Sequence, residues 1–214
     1  MDTYSKIARA YDEQVRGELA HKPLDRALLT AFLELAGHGT VADVGCGPGH
    51  VTRFLADRHP GVIGVDLSPG MIAIARERVP DSTFSVGSML SLPAADSSWA
   101  GAVALYSIIH LTPAERAVAF GEFARVLKPG GPLLLSFHVD SAEVAAGEST
   151  HLTEWFGSEV DVDVHFLDPV VITRELTAAG LAVQATLIRK PIAGAEFPSR
   201  RAYLTACREP ASEF

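Results

Sequence analysis

Val41-Ala42-Asp43-Val44-Gly45-Cys46-Gly47-Pro48-Gly49-His50 is the stretch that decides the fold. A short apolar run ends in three glycines at alternate positions, and helical spacing resumes over residues 51–58. Such a strand-to-helix turn lets a backbone approach a ligand closely, because glycine has no Cβ and the following helix presents unpaired N–H groups and a positive dipole end. The dinucleotide fingerprint wants glycine at its first, third and sixth positions. Here the sixth is His50, and Gly49 stands fifth. Asp43, two residues before the first glycine, suits an ammonium group better than a pyrophosphate, since like charges repel. About twenty residues further on, Asp66 closes a second apolar run, where an acid can accept hydrogen bonds from both hydroxyls of a ribose. Leu67 beside it offers an apolar face.

Outward from this turn, short apolar runs alternate with longer amphipathic ones, the pattern of parallel strands joined by crossover helices. Residues 23–36 read as a helix with Leu24, Ala27, Leu28, Ala31, Phe32 and Leu35 on one face and Gly37 as its C-terminal cap. Strands are expected over residues 41–44, 61–66, 84–86, 101–106 and 133–137. Ser68-Pro69 starts the helix that Pro80 stops, and Thr112-Pro113-Ala114-Glu115 is a capping box that starts another, running to about Leu127. Residues 139–168 break the rhythm with acids, Trp155, Phe156 and histidines, and read as an insertion. A helix from Asp168-Pro169 to Gly180 and two strands over 181–189 and 201–207 close the chain as an antiparallel hairpin.

The 214 residues suit one α/β domain, and 48% apolar with 21% charged residues excludes disorder or a fibrous architecture. A net charge of −8 argues against a nucleic-acid partner, which calls for a basic stripe. Cys46 and Cys207 make no disulfide framework, which predicts a reducing, cytoplasmic setting. Residues 1–12 carry acids and tyrosines where a leader would be basic and apolar, and no stretch reaches bilayer-spanning length. Neither secretion nor a membrane is expected.

Together Asp43-x-Gly45-x-Gly47-x-Gly49, Asp66 and Arg125-Val126-Leu127-Lys128-Pro129-Gly130-Gly131 resemble the class I methyltransferases that use S-adenosylmethionine (SAM) and release S-adenosylhomocysteine (SAH). The resemblance runs from about Tyr4 to Phe137 and resumes weakly at the final helix and hairpin. It implies a three-layer α/β/α Rossmann-like fold, with a seven-stranded, mostly parallel sheet ending in an antiparallel hairpin. It also implies a cofactor set of Asp43, Gly45, Cys46 and Gly47 at the methionine end, Asp66 and Leu67 at the ribose, and Gly87, Ser88 and Met89 at the adenine, joined by Tyr11, Met71 and Tyr106. Gly87-Ser88 departs from the family's usual Gly-Asp, and Trp99-Ala100 from its Phe-Asp. Tyr4 and Tyr11, seven apart on a first helix within residues 1–37, would sit on a lid or pack as ordinary aromatics.

His110, after the fourth strand, stands where similar enzymes often place a histidine near the transferring methyl. It can serve as a base or as a packed structural residue. Tyr4, Tyr106, His110, His138, Trp155 and Arg201 form the expected acceptor set, partly beneath the insertion. Arg200 and Arg201 read first as hairpin surface charge and second as contacts for an acidic acceptor. Asp161, Asp163 and His165 alternate along a solvated strand face, and no metal is assigned. The expected function is methyl transfer to an oxygen or nitrogen of a small molecule. The alternatives are C-methylation, a non-catalytic SAM-binding protein and, against Asp43 and His50, a nicotinamide-dependent oxidoreductase. Oligomeric state is left open.

Overall fold

A computed structural model describes residues 3–209. Helix α1 (Thr3–Val15) leads through a short 3-10 turn (Glu18–His21) into α2 (Pro23–Ala36). Next come β1 (Thr40–Val44), α3 (His50–Ala56), β2 (Val62–Asp66), α4 (Pro69–Arg78), β3 (Thr83–Val86) and β4 (Trp99–Leu105). A second 3-10 turn (Ile108–His110) precedes α5 (Pro113–Val126), β5 (Pro132–Ser141), β6 (Ser149–Trp155) and β7 (Ser158–His165). Helix α6 (Pro169–Ala178), β8 (Leu181–Arg189) and β9 (Ser199–Arg208) complete the described chain.

The seven-stranded sheet runs in the order β3-β2-β1-β4-β5-β9-β8. Pairs among β1 to β5 are parallel, and β9 is antiparallel to both β5 and β8. Strand order therefore reverses between β1 and β4, which opens a crevice at their carboxyl ends.

Period-two alternation sorts the central strands onto two covered faces. Val41, Val103 and Leu134 pack with Leu29, Phe32 and Leu33 of α2 and Val51, Phe54 and Leu55 of α3. Ala42, Ala102, Ala104, Leu133 and Leu135 pack on the other face with Phe120 and Phe123 of α5 and Ile172 and Leu176 of α6. Both expected helix starts are present: the Ser68 hydroxyl accepts from Met71 N, and Thr112 and Glu115 form a reciprocal capping box.

Two elements differ from their sequence reading. The buried face of α2 is Asp25, Leu29, Phe32 and Leu33, whereas Leu35 is 67% exposed and Ala27 and Ala31 also face solvent. The helix is rotated because Asp25 enters the interior against partners on β8 and β9, a burial that an apolar-stripe rule assigns to the opposite side. The segment 139–168 is mostly a β-hairpin, β6 with β7, turned through Phe156 and Gly157 with positive φ at both (53° and 70°). Two left-handed residues between strands make a turn that matches the strands' own twist.

Helix α2 sits so close to the sheet that a Cβ on Gly101 of β4 would lie 2.9 Å from Phe32 Cζ and 3.0 Å from Ala36 Cβ. Gly101→Val is expected to destabilise the fold by about 1–3 kcal/mol through overpacking, lowering the urea midpoint without changing the m-value. An unchanged midpoint would show that α2 does not rest on this strand.

Candidate active site

The turn after β1 is shaped by what cannot fit there. Gly45, Gly47 and Gly49 all have positive φ (74°, 52° and 87°), and a Cβ on Gly45 would come within 2.3 Å of Ser107 Cβ. Gly45 N and Cys46 N both donate to Val65 O, which binds the turn to β2. Asp66 Oδ2 accepts from Gly47 N at 2.8 Å and Oδ1 from Ser68 N at 2.8 Å, so one carboxylate joins the glycine turn to the start of α4. Leu67 is exposed. Gly87 N donates to Asp66 O, the Ser88 hydroxyl accepts from Leu90 N, and Met89 packs against the core edge. Met71 instead lies fully inside, with Ala8 and Ile74, where α1 crosses α4.

Asp43 is 2% exposed, and its Oδ2 accepts from the Thr52 hydroxyl at 2.6 Å. Burial pushes its pKa up from the ordinary 3.8 to about 6. Among the described residues no cation stands in ion-pair range of it. Asp43, Gly45, Cys46 and Gly47 line a small cavity of about 40 Å³ whose other walls include Tyr11, Glu18 and Tyr106. Those three residues also line a chamber of about 650 Å³, so the glycine turn and the chamber adjoin.

The roof of the chamber is aromatic. Tyr4 and Tyr11 of α1 meet edge-on at 6.0 Å between ring centres, Trp155 contacts both at 5.8 and 5.7 Å, and Phe156 stacks on Trp155 at 5.3 Å. His110 joins this group: its Nδ1 lies 2.9 Å from Asp163 O and its Nε2 2.6 Å from Tyr4 Oη. A carbonyl oxygen only accepts, so Nδ1 carries the proton and Nε2 receives the tyrosine hydroxyl. Burial lowers the His110 pKa, against the Asp163 hydrogen bond, which keeps the ring neutral near pH 7.

The floor is charged. Arg189 grips Glu196 through two bonds at 2.6 and 2.7 Å and reaches Asp25 at 3.1 Å, while Tyr203 Oη donates to Asp25 Oδ1. Lys22 Nζ lies 2.7 Å from Glu18 and 3.6 Å from Glu196. Burial alone would raise Glu18 and Glu196, but the hydrogen bond from His50 with Lys22 at Glu18, and that from Arg189 with Ile192 N at Glu196, hold both at about 2. Arg201 is 3% exposed, which corrects its reading as surface charge; neighbours on a strand point opposite ways, and Arg200 is the one that pairs with Asp140 outside. The Tyr106 ring has Lys22 Nζ at 5.5 Å and Arg201 Cζ at 5.8 Å, on a backbone held at φ 54°. Such left-handed strain in a non-glycine residue gathers at functional sites. His138 contacts the Ser199 hydroxyl at 2.6 Å, and burial, with Arg201 and Lys22 nearby, lowers its pKa to about 3.

Every expected acceptor residue lines this one chamber. Sequence reasoning missed Glu18, Lys22, Asp25, Glu196 and Tyr203, whose partners come from distant segments. Among the described residues no group of three or more His, Cys, Asp or Glu is arranged to hold a metal, and no helix is long and apolar enough to cross a membrane.

Residues 41–131 match a family model described as a methyltransferase domain. Trans-aconitate 2-methyltransferase from Methylobacterium nodulans is 39% identical over 110 residues, covering 49% of this chain and 40% of that protein. Ubiquinone/menaquinone biosynthesis C-methyltransferase from Syntrophotalea carbinolica is 34% identical over 154 residues, covering 67% of this chain and 63% of the relative. The chain thus spans less than two thirds of either. A SAM-dependent methyltransferase structure from Methanosarcina mazei shares the fold with a TM-score of 0.71 at 20% identity, over 83% of this chain and 96% of that one. Residues 41–131 thus match a methyltransferase domain whose glycine turn lies at the switch of strand order, and the described residues share the fold of a SAM-dependent methyltransferase structure.

Asp43 makes stability depend on pH. Its folded-state pKa is raised, so its contribution is full below about pH 4 and is lost as pH rises through about 6. At ~1.4 kcal/mol per pH unit the loss is on the order of 3 kcal/mol. Asp43→Asn keeps a partner for Thr52 and removes the titration, so urea denaturation near pH 7.5 is expected to find the variant more stable than wild type. A variant that keeps the wild-type slope between about pH 4 and 6 would assign that slope to another group.

Proposed function

We propose that this chain transfers the methyl group of SAM to an oxygen or nitrogen of a small molecule held in the 650 Å³ chamber. The observation that carries this reading is the adjacency of two cavities: the one over the glycine turn and the chamber share Tyr11, Glu18 and Tyr106. The residues fit the cofactor. Asp43 is a buried carboxylate without a cation, suited to an ammonium group, and the glycines leave the backbone bare beside it. Gly45, Cys46 and Gly47 would hold the amino-acid end, Asp66 and Leu67 the ribose, and Gly87, Ser88 and Met89 the adenine, with Tyr11 and Tyr106 between cofactor and acceptor. Met71 supports α1 from within. When bound, SAM supplies an electrophilic methyl for in-line displacement.

This chain's own residues hold the acceptor, exclude water and remove a proton. Residues 3–37 and 139–168 serve as covers, since Tyr4, Tyr11, Trp155 and Phe156 form the roof. Desolvation and orientation of the nucleophile are the main requirements of such a displacement. The acceptor's proton passes to Tyr4 Oη as Tyr4's own proton passes to His110 Nε2, and the new imidazolium keeps its Nδ1–H on Asp163 O. C-methylation is the second reading, favoured by the likeness to the ubiquinone/menaquinone C-methyltransferase.

Incubation of the protein with methyl-labelled SAM and metabolite pools, followed by carbon NMR of labelled products, tests transfer and separates oxygen, nitrogen and carbon acceptors. Absence of binding to both SAM and SAH by calorimetry would end the proposal. Tyr4→Phe and His110→Ala are each expected to lower kcat by about 10²-fold, with little change in the Kd for SAH, and the double variant to be scarcely worse than either. Because His110 must be neutral and its pKa lies below 6.5, wild-type kcat should be flat above neutrality and fall in acid. Full turnover in Tyr4→Phe would remove the tyrosine from the proton path.

A further inference from the structure

The floor of the chamber carries a recognition chemistry that methyl transfer by itself does not require. Arg201 lines the chamber, is almost completely buried, and donates through one terminal nitrogen to Ser199 O at 2.8 Å and toward Glu196 at 3.3 Å. Among the described residues its buried Nε–H has no hydrogen-bond partner. A guanidinium presents its N–H groups in a planar fork that matches a carboxylate, and an unmatched buried donor is costly to leave. Lys22 is buried beside it, and both cations approach the ring of Tyr106, which marks the junction with the cofactor turn.

Acids are present too and are engaged, with Lys22 among their partners; its ammonium donates one short hydrogen bond to Glu18 and keeps further donors. Glu196 is held bidentately by Arg189 and accepts from Ile192 N, and Glu18 is shared by Lys22 and His50. Glu154, at the rim, is exposed. His138 stays neutral, so Lys22 and Arg201 are the cations on the chamber wall. Above them the lining is apolar and flat-faced: Trp155 and Phe156 from the hairpin, Phe166 after it, and Phe197 before β9. Planar rings favour offset or edge packing against another unsaturated surface.

We propose that the chamber selects a small molecule with a carboxylate head on Arg201 and Lys22 and a planar, apolar body beneath the aromatic roof. As the class of methyl acceptor this rests on the function proposed above, but the carboxylate site can be tested without any turnover. The full chain, with and without SAH, is titrated by calorimetry with cinnamate, benzoate and phenylacetate, each beside its neutral amide.

At least one acid is expected to bind tenfold or more tightly than its amide. Arg201→Gln should reduce that ratio to near unity, and Arg201→Lys should restore part of it. Trp155→Ala, on the hairpin and outside the charged floor, should weaken acid and amide together and leave their ratio intact, which provides a second reading if Arg201→Gln fails to fold. Equal affinity for acids and amides, or no binding of any acid at millimolar concentration, overturns the carboxylate site even if SAH binds normally. Loss of SAH binding with acid selectivity retained would instead overturn the methyltransferase reading and leave this one standing.

Discussion

The contact between Gly45 and Ser107 governs the geometry of the site. Strands β1 and β4 are neighbours whose chains leave the sheet in opposite directions, and the turn after each must pass the other at their common edge. They pass so closely that a single methyl group on Gly45 would overlap the Ser107 side chain, whose hydroxyl donates to Val44 O. Glycine here is a steric condition for the crossing and a source of ligand access as well. The same crossing forces Tyr106, one residue before Ser107, into a left-handed conformation that carries its ring toward Lys22 and Arg201. One close approach thus sets both the bare backbone over which a cofactor can lie and the aromatic post beside it.

The charged floor answers a different constraint. Asp25, Lys22, Arg189, Glu196, Arg201 and Tyr203 tie the start of α2 to β8, β9 and the loop between them. Buried ion pairs rarely exceed what a well-packed apolar cluster would contribute, because desolvating each charge costs several kcal/mol. What the charged version adds is orientation. Each acid is fixed by more than one donor, and removal of any partner would leave an uncompensated buried charge. A floor of this kind resists rearrangement around a polar ligand, which a greasy floor would not.

Local chemistry was legible in the sequence and tertiary charge was not. The glycine turn, the cap at Ser68, the capping box at Thr112 and the uninterrupted apolar run of β5 declare themselves within ten residues, because each is a demand of the backbone on its own neighbourhood. The seven-stranded, mostly parallel sheet with its antiparallel end followed from the resemblance, and its strand order came from the structure. The face of α2 was misread because Asp25 is buried by Tyr203, 178 residues away, and no periodicity records such a partner. Arg201 was mistaken for surface charge for the same reason. In the 139–168 segment the alternation of Val160 to Val164 revealed β7, but Phe156 stands where Asn, Asp or Gly usually precedes the turn glycine, and the hairpin went unseen.

The placement of His110 joins these threads. Its two ring nitrogens are held by segments that belong to neither the sheet nor each other: Tyr4 from the first helix and the Asp163 backbone from the hairpin. Both are parts of the roof. With the roof in place the imidazole is desolvated, its tautomer is fixed, and Nε2 faces a tyrosine hydroxyl that lines the chamber. With the hairpin displaced, Nδ1–H would lose its carbonyl and the ring would return to water, where the cost that lowers its pKa disappears. On the proposed reading, closure and the readiness of the base are one structural event, and the hairpin that interrupts the alternation of the fold would complete its chemistry.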